Sequence, residues 1–177
     1  MHHAVGGQAR IEENRLADPR VTIVGATGAV GKVALRILEE RSFPMSSLRL
    51  TASPRSIGRK LEFHEEQIEV EETTPKLFSE SDVAFISATD DISREMAIVA
   101  QERGCVVIDD SGVWRMDPSV PLVVPEINAD DVDGHKGILA IPNCSTTPLA
   151  MVLDALRPAS PVKRVVVATY QSVSGTG

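Results

Sequence analysis

Arg20-Val-Thr-Ile-Val-Gly-Ala-Thr-Gly-Ala-Val-Gly-Lys32 is the stretch from which the rest of the chain is read. Val21 to Val24 is a short β-branched run of the kind buried in a parallel sheet. Gly25, Gly28 and Gly31 then punctuate a turn into a helix that carries Val30, Val33, Ala34, Ile37 and Leu38 on one face. Glycine at a strand-to-helix turn lets the backbone approach a ligand closely, and the unpaired N–H groups at the helix start favour an anion. The spacing is Gly-x-x-Gly-x-x-Gly, not the commoner Gly-x-Gly-x-x-Gly, so taken alone it leaves open a tight turn with no ligand. Context favours the cradle: strand, turn and helix lead to a second strand after Pro44, the βαβ order of a dinucleotide fold.

Bulk properties narrow the class. A chain of 177 residues can bury one good core, or one domain and a piece of another. Apolar content of 42% and charged content of 24% are those of an ordinary globular protein. A net charge of −7 argues against non-specific nucleic-acid binding. There is no apolar run of membrane-spanning length and no charged-then-apolar leader, so a cytoplasmic protein with no membrane partner is expected. Cys105 and Cys144 lie in different contexts, and no disulfide framework is expected.

Residues 1–19 show no clear period and read as a weakly ordered extension, with His2 and His3 too few to make a metal site; no metal is expected anywhere. Residues 48–52 read as the second strand, followed by Ser53-Pro-Arg-Ser-Ile-Gly-Arg-Lys60. An NAD-preferring fold carries a carboxylate here for the ribose hydroxyls. Ser53, Arg55, Ser56 and Arg59 suit a 2′-phosphate instead, which points to NADP; the competing reading is a solvated basic loop. Residues 62–73 read as one short exposed strand with a wet acidic face and His64 at the surface. Residues 82–87 read as a buried strand and residues 88–93 as the loop at its carboxyl end, where open α/β sheets place ligands. A helix over 92–103, with Ile92, Met96 and Val99 at helical spacing, stops at Gly104. Residues 105–109 form a further strand in which Cys105 is an inert core thiol. Residues 122–128 read as another strand, and an acidic connector holding His135 leads into residues 137–142.

Pro142-Asn-Cys-Ser-Thr-Thr-Pro148 carries the chemistry. Leu149, Val152, Leu153 and Leu156 mark one helical face, so Cys144 sits at or just before a helix N-terminus, with Ser145 or Thr146 available as cap and Pro148 in the first turn. A thiol there feels the helix dipole, which favours the nucleophilic thiolate. A buried structural cysteine is the alternative, but Asn, Ser and two Thr are poor neighbours for a core filler.

Six motifs in order, Gly-Ala-Thr-Gly-Ala-Val-Gly, the Ser-x-Arg-Ser loop, Trp-Arg-Met-Asp, Val-Val-Pro-Glu-Ile-Asn, Pro-Asn-Cys-Ser-Thr and Thr-Tyr-Gln-Ser-Val-Ser-Gly-Thr-Gly, resemble the amino-terminal half of the aspartate-semialdehyde dehydrogenases from about residue 20 onward. N-acetyl-glutamyl-phosphate reductase-like enzymes share the glycine turn but surround their cysteine differently. A non-catalytic NADP-binding module is the alternative from another class.

The resemblance implies a Rossmann-like doubly wound α/β domain over residues 20–142, then the beginning of an α+β catalytic and dimerisation domain over residues 143–177. It implies interconversion of aspartyl phosphate and aspartate semialdehyde, with NADP and inorganic phosphate, in the aspartate pathway to lysine, methionine, threonine and diaminopimelate. Cys144 matches the nucleophile and Gln171 the substrate-contacting glutamine. Gly25, Thr27, Gly28, Ala29, Val30 and Gly31 match the pyrophosphate turn, Ser53, Arg55 and Ser56 the 2′-phosphate loop, and Ser174 and Gly175 the nicotinamide loop. Arg115 and Asn143 match the phosphate contacts. Asp90 and Asp91 depart from the small residues that relatives often carry there. None of His2, His3, His64 or His135 matches the family's acid/base histidine, which lies in its other half with an arginine for the substrate carboxylate. A chain of this extent is therefore expected to hold the cofactor fold with little or no full activity. Residues 163–170 read as the first strand of the second domain, and the full-length family implies a homodimer or homotetramer.

Overall fold

The computed structural model describes residues 18–170. Strand β1 (Arg20–Val24) runs at the centre of a six-stranded, wholly parallel sheet, followed by helix α1 (Ala29–Glu40) and strand β2 (Ser47–Ala52). A hairpin of β3 (Lys60–Phe63) and β4 (Glu66–Glu69) stands apart, and the short β5 (Glu71–Glu72) edges the main sheet. Then come β6 (Val83–Ile86), α2 (Asp90–Glu102), β7 (Val106–Asp109), the one-turn α3 (Pro125–Asn128), β8 (Ile138–Ala140) and α4 (Thr146–Leu156). The strand order β5-β2-β1-β6-β7-β8 is that of a doubly wound dinucleotide fold, with the hairpin inserted before the third strand.

Alternation along the central strand explains the layering. Ile23 faces one side with Ala26, Leu35, Leu50 and Val70, while Val24 faces the other with Phe78, Ile86, Met96, Ala97 and Val107. Both faces are therefore covered, as an all-parallel sheet requires. Gly104 closes α2 with φ +76°, its N–H and that of Cys105 returning to Gln101 O and Ala100 O.

Several expectations need correcting. Residues 62–73 are not one strand but the second half of a hairpin arm, a turn, β4 and β5; His64 and Glu65 both have positive φ (48° and 66°), the two-residue turn whose twist suits a hairpin. Residues 122–128 supply only a single bridge, Leu122 to Ala140, before Pro125 starts α3. The apolar face of α1 holds in part: Ala34 and Leu38 pack against the core with the buried Leu35, while Val30, Val33 and Ile37 are exposed and Gly31 is buried where the helix approaches the glycine turn. Residues 163–170 form no strand, since no described segment offers them a ladder; Val166 and Tyr170 are exposed.

Candidate functional site

The strand order reverses between β1 and β6, so a crevice opens beyond their carboxyl ends. Gly25 lies there with φ +82°, and a Cβ on it would come within 1.9 Å of the Ser87 carbonyl oxygen. A Cβ on Gly31 would lie 2.3 Å from Gly25 O and 2.7 Å from Ala26 Cα. These two glycines serve the packing of strand, turn and helix. Gly28 differs: its φ is −72°, its Cβ would meet only Gly25 O at 3.2 Å, and no side chain caps the helix that it opens. The bond from Lys32 N to Gly28 O (3.1 Å) begins the α1 ladder, which leaves the N–H groups of Ala29, Val30 and Gly31 without an intrahelical acceptor. A row of free donors at a helix start, with no side chain at Gly28 to fill the approach, fits a phosphate.

The β2 side of the crevice is tied to the glycine turn. Gly25 N and Ala26 N both donate to Thr51 O (2.9 and 3.0 Å), and Thr27 Oγ1 donates to Ser56 Oγ (3.3 Å). Ser56 is buried, so its hydroxyl ties the loop after β2 to the glycine turn, whereas Ser53, Arg55 and Arg59 are exposed around it.

At the other end of the same edge, β8 leads into Asn143-Cys144-Ser145 and then α4. Neither Ser145 nor Thr146 caps this helix, contrary to expectation. Asn143 does: its Oδ1 accepts the Ser145 N–H (3.0 Å) and hydroxyl (2.7 Å), and its carbonyl accepts from Thr146 N (2.8 Å) and Thr147 N (3.2 Å). The turn leaves Cys144 exposed, its Sγ 3.8 Å from Asn143 Oδ1. Cys105 is buried, and desolvation, reinforced by the charge of Asp82, pushes its thiol up to about 12. Only Cys144 is open to a substrate; the expected inertness of Cys105 agrees with its burial.

Arg115 is anchored between two strand ends, Nε donating to Ile141 O (2.9 Å) and an Nη to Asp110 O (2.6 Å). That places its guanidinium two residues before Asn143 in the chain leading to Cys144, with three further N–H donors. Below it Asp109 is fully buried and accepts from Ser111 N (2.9 Å) and from the hydroxyls of Ser93 and Ser111. Asp110 accepts from Ser87 Oγ (3.0 Å); burial, with a smaller contribution from Asp109, holds its carboxyl above the usual range against the opposing effects of Ser87 and Arg115. Sequence reasoning missed Ser87, Ser93, Asp109, Asp110 and Ser111, although three consecutive polar residues directly after an apolar strand were a visible signal.

All six strands are parallel, so the glycine turn and Cys144 share one edge of the sheet. They stand three strand positions apart, roughly 14 Å by the usual interstrand spacing. Gln171, Ser174 and Gly175 lie outside the described residues. Among the described residues no three His, Cys, Asp or Glu side chains gather as a metal site, and no helix is long and apolar enough to cross a membrane.

Residues 20–135 match the semialdehyde dehydrogenase, NAD binding domain family. The aspartate-semialdehyde dehydrogenase of Prochlorococcus marinus is 48% identical over 157 residues, 89% of this chain and 46% of that protein. The crystal structure of aspartate semialdehyde dehydrogenase II from Vibrio cholerae superposes with a TM-score of 0.86 at 40% identity, covering 90% of this chain and 48% of that one. Aspartate semialdehyde dehydrogenase with NADP from Candida albicans gives a TM-score of 0.66 at 27% identity over 82% of this chain and 48% of the other. The chain thus spans about half the length of the relatives it matches.

Proposed function

The chain belongs to the semialdehyde dehydrogenase NAD-binding-domain family, and on that premise we propose that it carries the cofactor site and the nucleophile of an NADP-dependent, phosphorylating aspartate-semialdehyde dehydrogenase. The observation that carries the reading is an exposed thiol, Cys144, on the same sheet edge as an uncapped glycine turn, while Cys105 is buried.

In this reading the N–H groups of Ala29, Val30 and Gly31 hold the pyrophosphate, with Thr27 beside them. Arg55 takes the 2′-phosphate, with Ser53 nearby and Ser56 fixing the loop; an exposed guanidinium there supports NADP over NAD. The Cys144 thiolate attacks the aldehyde carbon of aspartate semialdehyde, forming an S–C bond and an alkoxide. Bound NADP would supply the two-electron acceptor needed to bring that Cys144 adduct to the thioester level. Arg115, with Asn143, holds inorganic phosphate, whose oxygen attacks the thioester carbonyl and expels the thiolate as aspartyl phosphate forms. Gln171 contacts the substrate, and Ser174 and Gly175 meet the nicotinamide end.

The whole protein, in this reading, acts in the cytoplasm in the aspartate pathway of amino-acid biosynthesis, as a homodimer or homotetramer. Incubation of the chain with aspartate semialdehyde and NADP, followed by mass spectrometry of the Cys144 and Cys105 peptides, tests the reading. An acyl adduct confined to Cys144 and absent from Cys144→Ala is expected. NADP binding without any adduct would favour a non-catalytic nucleotide module.

A further inference from the structure

We propose that Asp110 is a positioning residue that governs anion binding at Arg115, its carboxylate setting how strongly that guanidinium holds a tetrahedral anion. The inference rests on the reading of Arg115 as the phosphate group's partner and adds a control element to it.

Asp110 joins three parts of the crevice. Its side chain accepts from Ser87 Oγ (3.0 Å), on the strand end whose carbonyl presses on Gly25. Its backbone carbonyl accepts from Arg115 (2.6 Å), and Arg115 in turn grips Ile141 O (2.9 Å), just ahead of Asn143 and Cys144. Among the described residues the carboxylate makes no hydrogen bond to Arg115, so it uses none of the remaining guanidinium donors. It is nevertheless near enough for the arginine's charge to act on it. The other charge that bears on Asp110 is Asp109 at the end of β7. An anion docked on Arg115 therefore meets an attractive guanidinium and, when Asp110 is ionised, an opposing carboxylate in a half-buried site. Protonation removes the opposition without disturbing the backbone bonds that hold the arginine. Anion affinity is then high below the raised pKa of Asp110 and falls as pH rises through it.

Sulfate is the probe, because its charge does not change over the working range. Isothermal titration of the chain with sodium sulfate at constant ionic strength, across pH 4.5 to 8, compares the wild type with Asp110→Asn, Ser87→Ala and Arg115→Ala. Asp110→Asn should bind sulfate about tenfold tighter than wild type at the alkaline end, with the two converging at the acid end. Ser87→Ala removes the hydroxyl that stabilises the ionised carboxylate, so the pH at which affinity falls should move upward. If Arg115→Ala abolishes binding while Asp110→Asn keeps the wild-type profile, the inference fails and the reading of Arg115 stands. If Arg115→Ala binds sulfate as the wild type does, or the wild type and Asp110→Asn both fail to bind it, both fall. Should Asp110→Asn not fold, an unchanged profile in Ser87→Ala overturns the proposal.

Discussion

The α-carbon of Gly25 sits so close to Ser87 that a methyl group placed on it would lie 1.9 Å from the Ser87 carbonyl oxygen. This one approach closes the ends of β1 and β6 against each other and sets the floor of the crevice. Gly25→Ala meets both that backbone atom and a φ of +82°, so a loss of about 3 kcal/mol of stability is expected, read as a lowered urea midpoint.

Gly28→Ala separates folding from ligand binding at the same turn. Its φ is ordinary and its nearest contact would be 3.2 Å, so the unfolding midpoint should move by less than about 1 kcal/mol. In the proposed reading the added methyl stands in the path of the pyrophosphate, and NADP affinity measured by titration should fall about tenfold or more.

The two thiols should react at very different rates. With its thiol pushed up to about 12, Cys105 holds less than about one thiolate in ten thousand near pH 7.5 and is closed to solvent. Timed iodoacetamide labelling with peptide mapping should find Cys144 modified first and Cys105 only on unfolding.

Replacing Asp109 by Ala removes the acceptor for two buried hydroxyls and one backbone N–H. A cost of about 2 to 4 kcal/mol in urea unfolding is expected. Because Ser111 lies in the segment that carries Arg115, sulfate binding should weaken as well.

Acid stability carries a signature of Arg20 and Asp82. Two hydrogen bonds from the Arg20 side chain and one from its backbone N–H hold the Asp82 carboxyl at about 2, below its usual 3.8. The folded-state pKa is depressed, so the contribution is complete above about pH 4 and is lost as pH falls toward 2. Urea midpoints of wild type and Asp82→Asn should run parallel above pH 4 and converge below it; the pair is part-exposed, and the difference should be small.

Much of this fold was legible because a parallel sheet buried on both faces is written as apolar runs rich in β-branched residues, and β1, β6 and β7 have them. Pairing was less legible. The hairpin was merged into one strand because Glu62 to Thr73 keeps its acidic alternation across a turn made by His64 and Glu65, residues that carry no glycine signal. Helix α1 buries Gly31 and Leu35 and packs Ala34 and Leu38 against the core, so the periodic pattern placed those last two correctly and misplaced Val30, Val33 and Ile37, which lie on the far side of the close approach at Gly31. The site's glycine turn and exposed cysteine could be picked out from local pattern alone. The Asn143 cap and the Ser93–Asp109–Ser111 cluster could not, since an Asx turn competes with two adjacent hydroxyl caps and the cluster joins residues from separate elements.

The most direct test of the whole account is the rate of Cys144 alkylation measured with and without saturating NADP. A nicotinamide seated from the turn at Gly28 toward the end of β8 should slow modification of that sulfur several-fold, and the protection should vanish in Gly28→Ala. An unchanged rate with NADP demonstrably bound would place the cofactor and the thiol apart and contradict the account.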